Sequence, residues 1–437
     1  MTQPKTRNVH PPGPPEPVDI AFSDDAIGRL MEMFEVHGDF YRFHNPGTRS
    51  HVYVLTHPEY AKQVLITHYK KFVKGFGIDR VKILLGEGIM TSEGDFWHRQ
   101  RRMIQPSFHR TILSRFLPMV REKNVQLRDS WRAIARAGGT INVDEDTSVM
   151  TLALVLDSIF SEDLDRIITR HGSNPFLLVT EESARNLQFA ARFRALGEII
   201  LDVIERRRRE DRRPFDLMSM LMDARDRATG EAMSDRELLD EIMTLIIAGH
   251  ETTATALTWT WYLLSQHPDA AARLRQEAAA LPEDLPMTVE NVQQLAYTRQ
   301  VIEESLRLYP PGWILTRKAV APIKIGRYTI EAGAHVFVSP YMVHRNPEFW
   351  PDPARFDPDR FAPGAGEGRH MCAYLPFGAG PRRCIGEQLA ILEMQIHFFV
   401  IAREFDLVYL GDAPPALEPQ VNLRPREAIH MRPLARA

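Results

Sequence analysis

The sequence predicts a mainly helical fold with a minor β portion. Three observations carry this expectation. Apolar residues recur at three- and four-residue intervals over most of the chain, strand-type alternation is confined to a few short stretches, and one helical pattern runs unbroken from about Asp235 to Gln266.

In chain order, the first residues, MTQPKTRNVH, hold no apolar core of signal-peptide length and lead into the proline-rich PPGPPEPVD, so residues 1–13 are expected to form a flexible tail. Helical spacing begins at DDAIGRLMEMFEVHG, and HVYVLT, from His51, alternates as a strand. Two further helices are expected in ILSRFLPMVREKNVQLRDSWRAIARA and NLQFAARFRALGEIILDVIERRRRE. The second ends in a run of arginines, 206–209, with Arg212 and Arg213 beyond. This reads as a solvated helix end, where cations meet the negative pole of the helix dipole, and not as a nucleic-acid patch.

The long helix opens with Ser234 and Glu237 in capping-box spacing, stops at His267-Pro268 and would run about 48 Å. Strands return in AVAPIKIGRYTIEAGAHVFVSP, punctuated by Gly326 and Gly333. The segment from Asn346 to Gly368 holds too much proline and glycine for a regular element, but its Phe349, Trp350, Phe356 and Phe361 argue for a packed loop. A final helix is expected in ILEMQIHFFVIAREF.

At 437 residues and 44% hydrophobic the chain can bury a large core, and a formal net charge of -3 gives no basic field for a nucleic acid. Its two cysteines, Cys372 and Cys384, are too few for a disulfide framework and point to a reducing, cytoplasmic setting. Apolar runs are short or broken by charge, as Asp157 breaks TLALVLDSIF, so no membrane anchor is expected.

The densest chemistry lies in FGAGPRRCIGEQLAILEMQ, where Phe377, Gly378, Gly380, Arg382, Cys384 and Gly386 precede an amphipathic helix. A thiol just before a helix N-terminus and beside two arginines is favoured as thiolate. Glycines let the backbone approach a flat cofactor and turn amides toward the sulfur. A zinc site with His344, His370 and Cys372 is an alternative, but the eleven residues between the cysteines depart from the short pairs of structural zinc sites. Thiolate-ligated haem iron fits better, and Cys372 reads as a buried small hydrophobe.

This loop resembles, position for position, the cysteine-ligand signature F-x-x-G-x-R-x-C-x-G of the cytochrome P450 family, and from about Pro14 onward further motifs occur in family order. The resemblance implies a P450 fold holding haem b, with Cys384 on the iron. The AGHETT run resembles the family's oxygen-binding helix, which implies that Ala248 and Gly249 border the cofactor, that Gly249 permits a local opening for dioxygen, and that Glu251 and Thr252 relay protons for O–O scission. Read from the residues alone, Glu251 could simply be exposed and Thr252 could bond back to a carbonyl one turn earlier. His250 occupies the motif's variable position.

Glu304 and Arg307, three apart in TRQVIEESLRLYPP, read alone as a surface pair; the resemblance ties them to Arg360 of FDPDRF as a triad supporting the cysteine loop. Trp97 and Arg101 share a helical face in DFWHRQRR and, by resemblance, bind a haem propionate, with His98, Arg317 and Arg382 as further candidates. The segment holding Trp313, Ile314 and Leu315 would line the substrate pocket, with regions near residues 73–90 and 175–195. Motifs at 97, 251, 304, 360 and 384 must meet one cofactor, so a single domain over residues 1–437, acting as a monomer, is expected.

The activity so implied is monooxygenation of an apolar small molecule by dioxygen. A peroxygenase, a peroxide isomerase or a non-catalytic haem binder are the alternatives, all disfavoured by the intact Glu251-Thr252 pair. The roughly fifty residues after Cys384 leave no room for a flavin domain, so electrons are expected from a separate ferredoxin with its reductase, or a flavodoxin-type donor, docking near Arg101, Arg102 and Arg383.

Overall fold

The structure is a computed structural model that describes residues 9–20, 25–180 and 187–435. The chain divides into two compact units, each gathered from separated stretches: Met1–Ile78, Glu303–Cys384 and Ala416–Arg426 form the first, and Asp79–Ile302, Ile385–Pro415 and Glu427–Ala437 the second. Helix dominates and strands are the minor part, as the apolar spacing predicts.

The first unit is built on a five-stranded sheet in the order Phe40–Asn45, Ser50–Leu55, His335–Val338, Leu315–Ala319, Phe72–Lys74. Its neighbours are antiparallel except for Ser50–Leu55 beside His335–Val338. The alternation in SHVYVL is buried on both sides. Val52 and Val54 pack with Leu30, Trp313 and Phe337, whereas Tyr53 and Leu55 pack with Phe40, Leu65 and Val336. Gly326, at φ +55, turns the hairpin Ile323–Ile325 into Tyr328–Ile330.

The expected tail is tied down where it is described. Val9 O accepts from Thr329 N–H at 3.1 Å and Pro12 O from Arg42 N–H at 2.9 Å. At Gly13 a Cβ would sit 1.7 Å from Arg42 O, so only glycine fits. Residues 1–8 lie outside the described residues. The proline-rich 346–368 stretch is a packed loop: Trp350 is fully buried, its indole N–H donates to Ala373 O at 3.0 Å, and the Arg369 guanidinium stacks 4.1 Å from its ring.

The second unit is helical. The Asp235–Gln266 helix has the bounds its capping signals predict: Ser234 Oγ accepts from Glu237 N–H at 3.3 Å, and Glu237 Oε2 accepts from Ser234 N–H at 2.7 Å. It packs along Val143–Phe160, while Glu387–Ile401, buried from Ile391 onward, packs against Arg110–Arg136. The last helix stops at Ile401, short of Phe405, because Phe405 opens a strand that pairs with His430–Ala435 and sets its ring 6.4 Å from Trp131. Among the described residues no helix is long and apolar enough to cross a membrane.

The arginine run corrects the expectation of a solvated helix end. Arg207 is fully buried, bonded to Asp163 at 2.7 Å, to both oxygens of Asp216 at 2.8 and 2.6 Å, to Ser219 Oγ at 3.0 Å and to Phe160 O at 2.9 Å. Arg206 and Arg212 reach the same Asp163 from less buried positions. The run closes the Leu187–Arg209 helix onto its neighbours.

Candidate active site

Cys384 ends a loop whose backbone is closed by its own N–H on Phe377 O at 2.9 Å. Gly378 and Gly380 take φ of +71° and +70°, conformations that favour glycine, and a Cβ on Gly380 would lie 2.2 Å from Leu65 O in the adjoining Gln63–Thr67 turn. The loop is thereby pressed onto backbone. The Cys384 side chain is exposed, and Phe377, Gly378 and Arg382 are half-buried around it. Gly386, two residues on, is the N-cap of Glu387–Ile401.

Behind the loop, Glu304 and Arg307 are both 0% exposed and joined as a fork, Arg307 Nε to Glu304 Oε2 at 2.7 Å and Nη2 to Oε1 at 2.8 Å. The remaining Arg307 donors go to the carbonyls of His344, Pro353 and Arg355 at 2.9, 2.8 and 3.0 Å. This is no surface pair. Arg360 Nε stands 3.5 Å from Glu304 Oε1, which also accepts Asp357 N–H at 2.9 Å. His344, which the sequence suggested only as a zinc alternative, donates from Nδ1 to Arg307 O at 3.1 Å and accepts Leu375 N–H on Nε2 at 2.7 Å, so both ring nitrogens are engaged. Full burial pushes its pKa down to about 3, keeping it neutral. Among the described residues no group of three His, Cys, Asp or Glu could hold a metal ion.

In the second unit, the Ala248–Thr252 turn lies mid-helix. Ala248 is exposed and Gly249, Glu251 and Thr252 are half-buried, whereas Thr253 to Leu264 are buried throughout. Thr252 Oγ1 donates to Ala248 O at 2.9 Å, the one-turn back-bond the residues alone allow. No hydrogen bond or ion pair to a described residue holds the Glu251 carboxylate. The helix runs without a break through Gly249, and a Cβ there would lie 3.0 Å from Val155 Cγ2 on the neighbouring helix, a contact Val155 would have to relax. His250 is buried against that neighbour, with Thr151 Oγ1 on its carbonyl at 3.2 Å, and burial lowers its pKa.

Trp97, His98 and Arg101 lie on the Gly94–Ile104 helix, Trp97 buried with its ring 4.7 Å from His98 and Arg101 half-buried one turn on. Arg102 is exposed and paired with Asp226 at 3.3 Å. In the first unit Arg317 is half-buried on Leu315–Ala319, opposite Lys74 and Val336.

The family model of cytochrome P450 matches residues 18–191 and 175–431, nearly the whole chain. The chain belongs to the cytochrome P450 family. Cyclooctat-9-en-7-ol 5-monooxygenase of Streptomyces melanosporofaciens is 31% identical over 87% of this chain and 84% of that one. Pentalenene oxygenase of Streptomyces avermitilis is 30% identical over 91% and 88%. In three dimensions this P450 matches the crystal structure of the cytochrome P450DA heme domain with a TM-score of 0.87, 25% identity, and coverage of 98% and 97%. It is therefore an oxidoreductase with the P450 fold, a haem cofactor and monooxygenase chemistry.

The residues of this P450 fit that cofactor: a soft, exposed sulfur donor, glycines at the two backbone turns beside it, and half-buried arginines suited to carboxylates. One expected pocket residue does not fit. Trp313 is 2% exposed, its indole N–H donates to Gln420 O at 2.9 Å, and its carbonyl accepts from Ser339 Oγ at 2.8 Å, so it belongs to the core of its unit. The 416–426 stretch fixes it there, with Leu423 N–H on Pro311 O. Ile314 and Leu315 are half-buried, Leu315 beside Gly378. Of the outlying pocket regions, 181–186 fall outside the described residues.

Proposed function

We propose that Cys384 Sγ would hold the iron of haem b in this P450, and that the enzyme oxygenates an apolar small molecule with electrons from a separate protein. The contrast between its two cysteines carries the reading. Cys384 is exposed at the end of a glycine-turned loop; Cys372 is fully buried and its thiol is pushed up to about 11 by desolvation, so it stays a thiol.

Haem, when bound, supplies the chemistry that activates dioxygen. Arg382, Arg317 and Arg101, with Trp97 and His98, would hold its propionates, and Ala248 and Gly249 keep their helix face small. Thr252 directs its hydrogen to Ala248 O, which leaves its oxygen to accept from water and so to hold a proton donor in place. The Glu251 carboxylate, unbonded among the described residues, can carry protons to that turn from solvent. The Glu304–Arg307–Arg360 group, with His344 on Leu375 N–H, would keep the cysteine loop in register.

The names of two relatives give cyclooctat-9-en-7-ol and pentalenene, and their shared class, a largely apolar carbon skeleton, is the substrate class proposed here. The electron donor proposed is a ferredoxin with its reductase or a flavodoxin-type protein; Arg102 and Arg383 are exposed and suit an acidic partner, although Asp226 offsets Arg102. Two cysteines with no disulfide between them suit a reducing cytoplasm.

Replacing Cys384 with Ser should abolish the thiolate-type spectrum of the reduced carbon monoxide complex, and Cys372→Ser should keep it. Retention of the spectrum in Cys384→Ser would sink the ligand assignment. Thr252→Ala should bind haem normally yet form about tenfold less product per NAD(P)H, releasing hydrogen peroxide instead. An unchanged ratio removes Thr252 from proton delivery.

A further inference from the structure

In the second unit a cavity of about 550 Å³ is bordered by the Asp163–His171 helix, the Pro175–Thr180 turn and the Leu187–Arg209 helix. The lining positions recur at three and four residues on both helices, at 166, 167 and 170 on the first and at 192, 195, 196, 199, 202 and 206 on the second. One face of each helix therefore borders it. None of Trp97, Ala248, Glu251, Thr252 and Cys384 lines it, so it is separate from the residues assigned to the haem and to proton delivery.

Its walls are of two kinds. Ile167, Leu178 and Leu196 are buried and give it an apolar floor. The rest is largely cationic: Arg166, Arg170, His171, Arg192 and Arg206 line it, against the two carboxylates of Glu198 and Asp202. The acceptors within reach are oversubscribed. Asp163, fully buried at the start of the first helix, shares Oδ1 among Arg206 at 3.0 Å, Arg212 at 3.4 Å and Arg166 at 3.8 Å, and its Oδ2 goes to Arg207 at 2.7 Å. Asp202 Oδ2 serves Arg170 at 2.9 Å and Arg206 at 3.7 Å. Arg206 Nε, a buried donor, has no hydrogen-bond partner among the described residues. A buried donor left over is costly, and guanidinium groups match the paired oxygens of a carboxylate or phosphate. The volume falls within the range of small-molecule sites, about 300–1,000 Å³.

We propose that this cavity binds an amphipathic organic anion, with its acidic head among Arg166, Arg170 and Arg206 and its apolar tail over Ile167, Leu178 and Leu196. The head is a carboxylate or a phosphate, both of which take a guanidinium fork. One ligand would then be shared by arginines of both helices, so occupancy ties the helices together and stabilises the folded holoprotein as ligand concentration rises. The largely apolar skeleton proposed for the substrate lacks the charge that these arginines select, which sets this site apart from the one where oxygenation takes place.

The test uses holoprotein with decanoate, decyl phosphate and decanol, below their micelle concentrations, followed by calorimetry and by melting temperature. At least one of the two acids should bind and raise the melting temperature, and decanol, with the same tail and no charge, should bind about tenfold more weakly or worse. The tighter acid identifies the head. Arg166→Gln and Arg170→Gln, both at exposed positions, should each weaken the acids about tenfold and leave decanol unchanged. Ala195→Glu, which sets a carboxylate at an exposed lining position, should do the same, and added salt should weaken the acids too. The Soret band of the haem should not follow the binding. Failure of both acids to bind, decanol binding as well as they do, affinity undiminished in the three variants, or a Soret shift that saturates together with the calorimetric binding overturns the inference.

Discussion

Among the described residues, two arginines of this P450 are fully buried, Arg307 in the first unit and Arg207 in the second, and they are satisfied in opposite ways. Arg307 spends two N–H groups on one carboxylate and three on main-chain carbonyls from 344, 353 and 355. Arg207 meets two carboxylates, Asp163 and Asp216, one hydroxyl and one carbonyl. The first is a clamp on backbone and the second a junction of charges. A clamp fixes the path of a loop, here the one that leads through His344 and Leu375 to Cys384, whereas a charge junction fixes how helices pack.

Truncating the clamp should have the larger effect. Arg307→Ala strands a buried carboxylate and three carbonyls, a loss of about 3–5 kcal/mol, and should yield little holoprotein. Parental expression, haem content and melting temperature would show that the cysteine loop stands without it. In Arg207→Ala, Asp163 keeps Arg206 at 3.0 Å and Arg212 at 3.4 Å, so the loss should sit at the low end of that range, about 3 kcal/mol. What folds should retain the thiolate-type carbon monoxide spectrum. If the Arg207 variant lost that spectrum while still folded, the division of labour between the two arginines would be wrong.

The two sites also differ in how far the sequence discloses them. Glu304 and Arg307 stand one turn apart, so spacing alone pairs them, and the family pattern raises the pair from surface to core. Arg207 has no such mark: Asp163 is 44 residues away and sits at the start of another helix, and a run of four arginines looks solvated by composition. The chemical motifs were legible for the first reason, since Cys384 and the Ala248–Thr252 turn are local patterns. Trp313 was misplaced for the second, because the residues that bury it, Gln420 and Leu423, arrive from a hundred residues further on. Leu315–Ala319 was missed as a strand because LTRKA shows little alternation, and its place depends on the strands on either side.

Acid should separate the two sites most finely. Three of the Arg307 acceptors are carbonyls, which do not titrate. Asp163, by contrast, would be pushed up by burial, but Arg207, Arg206 and Arg212 outweigh that and hold it below the ordinary carboxylate value. A carboxylate lowered by folding adds stability above its unfolded pKa, near 4, and that stability drains as pH falls through the lowered folded value. Asp163→Asn removes this contribution at every pH. The parent should therefore be more stable than Asp163→Asn by its largest margin near neutrality, and the margin should shrink steadily below about pH 4. Denaturant melts from pH 7 to pH 3 measure it. A margin that stays constant over that range would mean Asp163 acts as a hydrogen-bond acceptor alone, and the contrast between a charge junction and a backbone clamp would reduce to geometry.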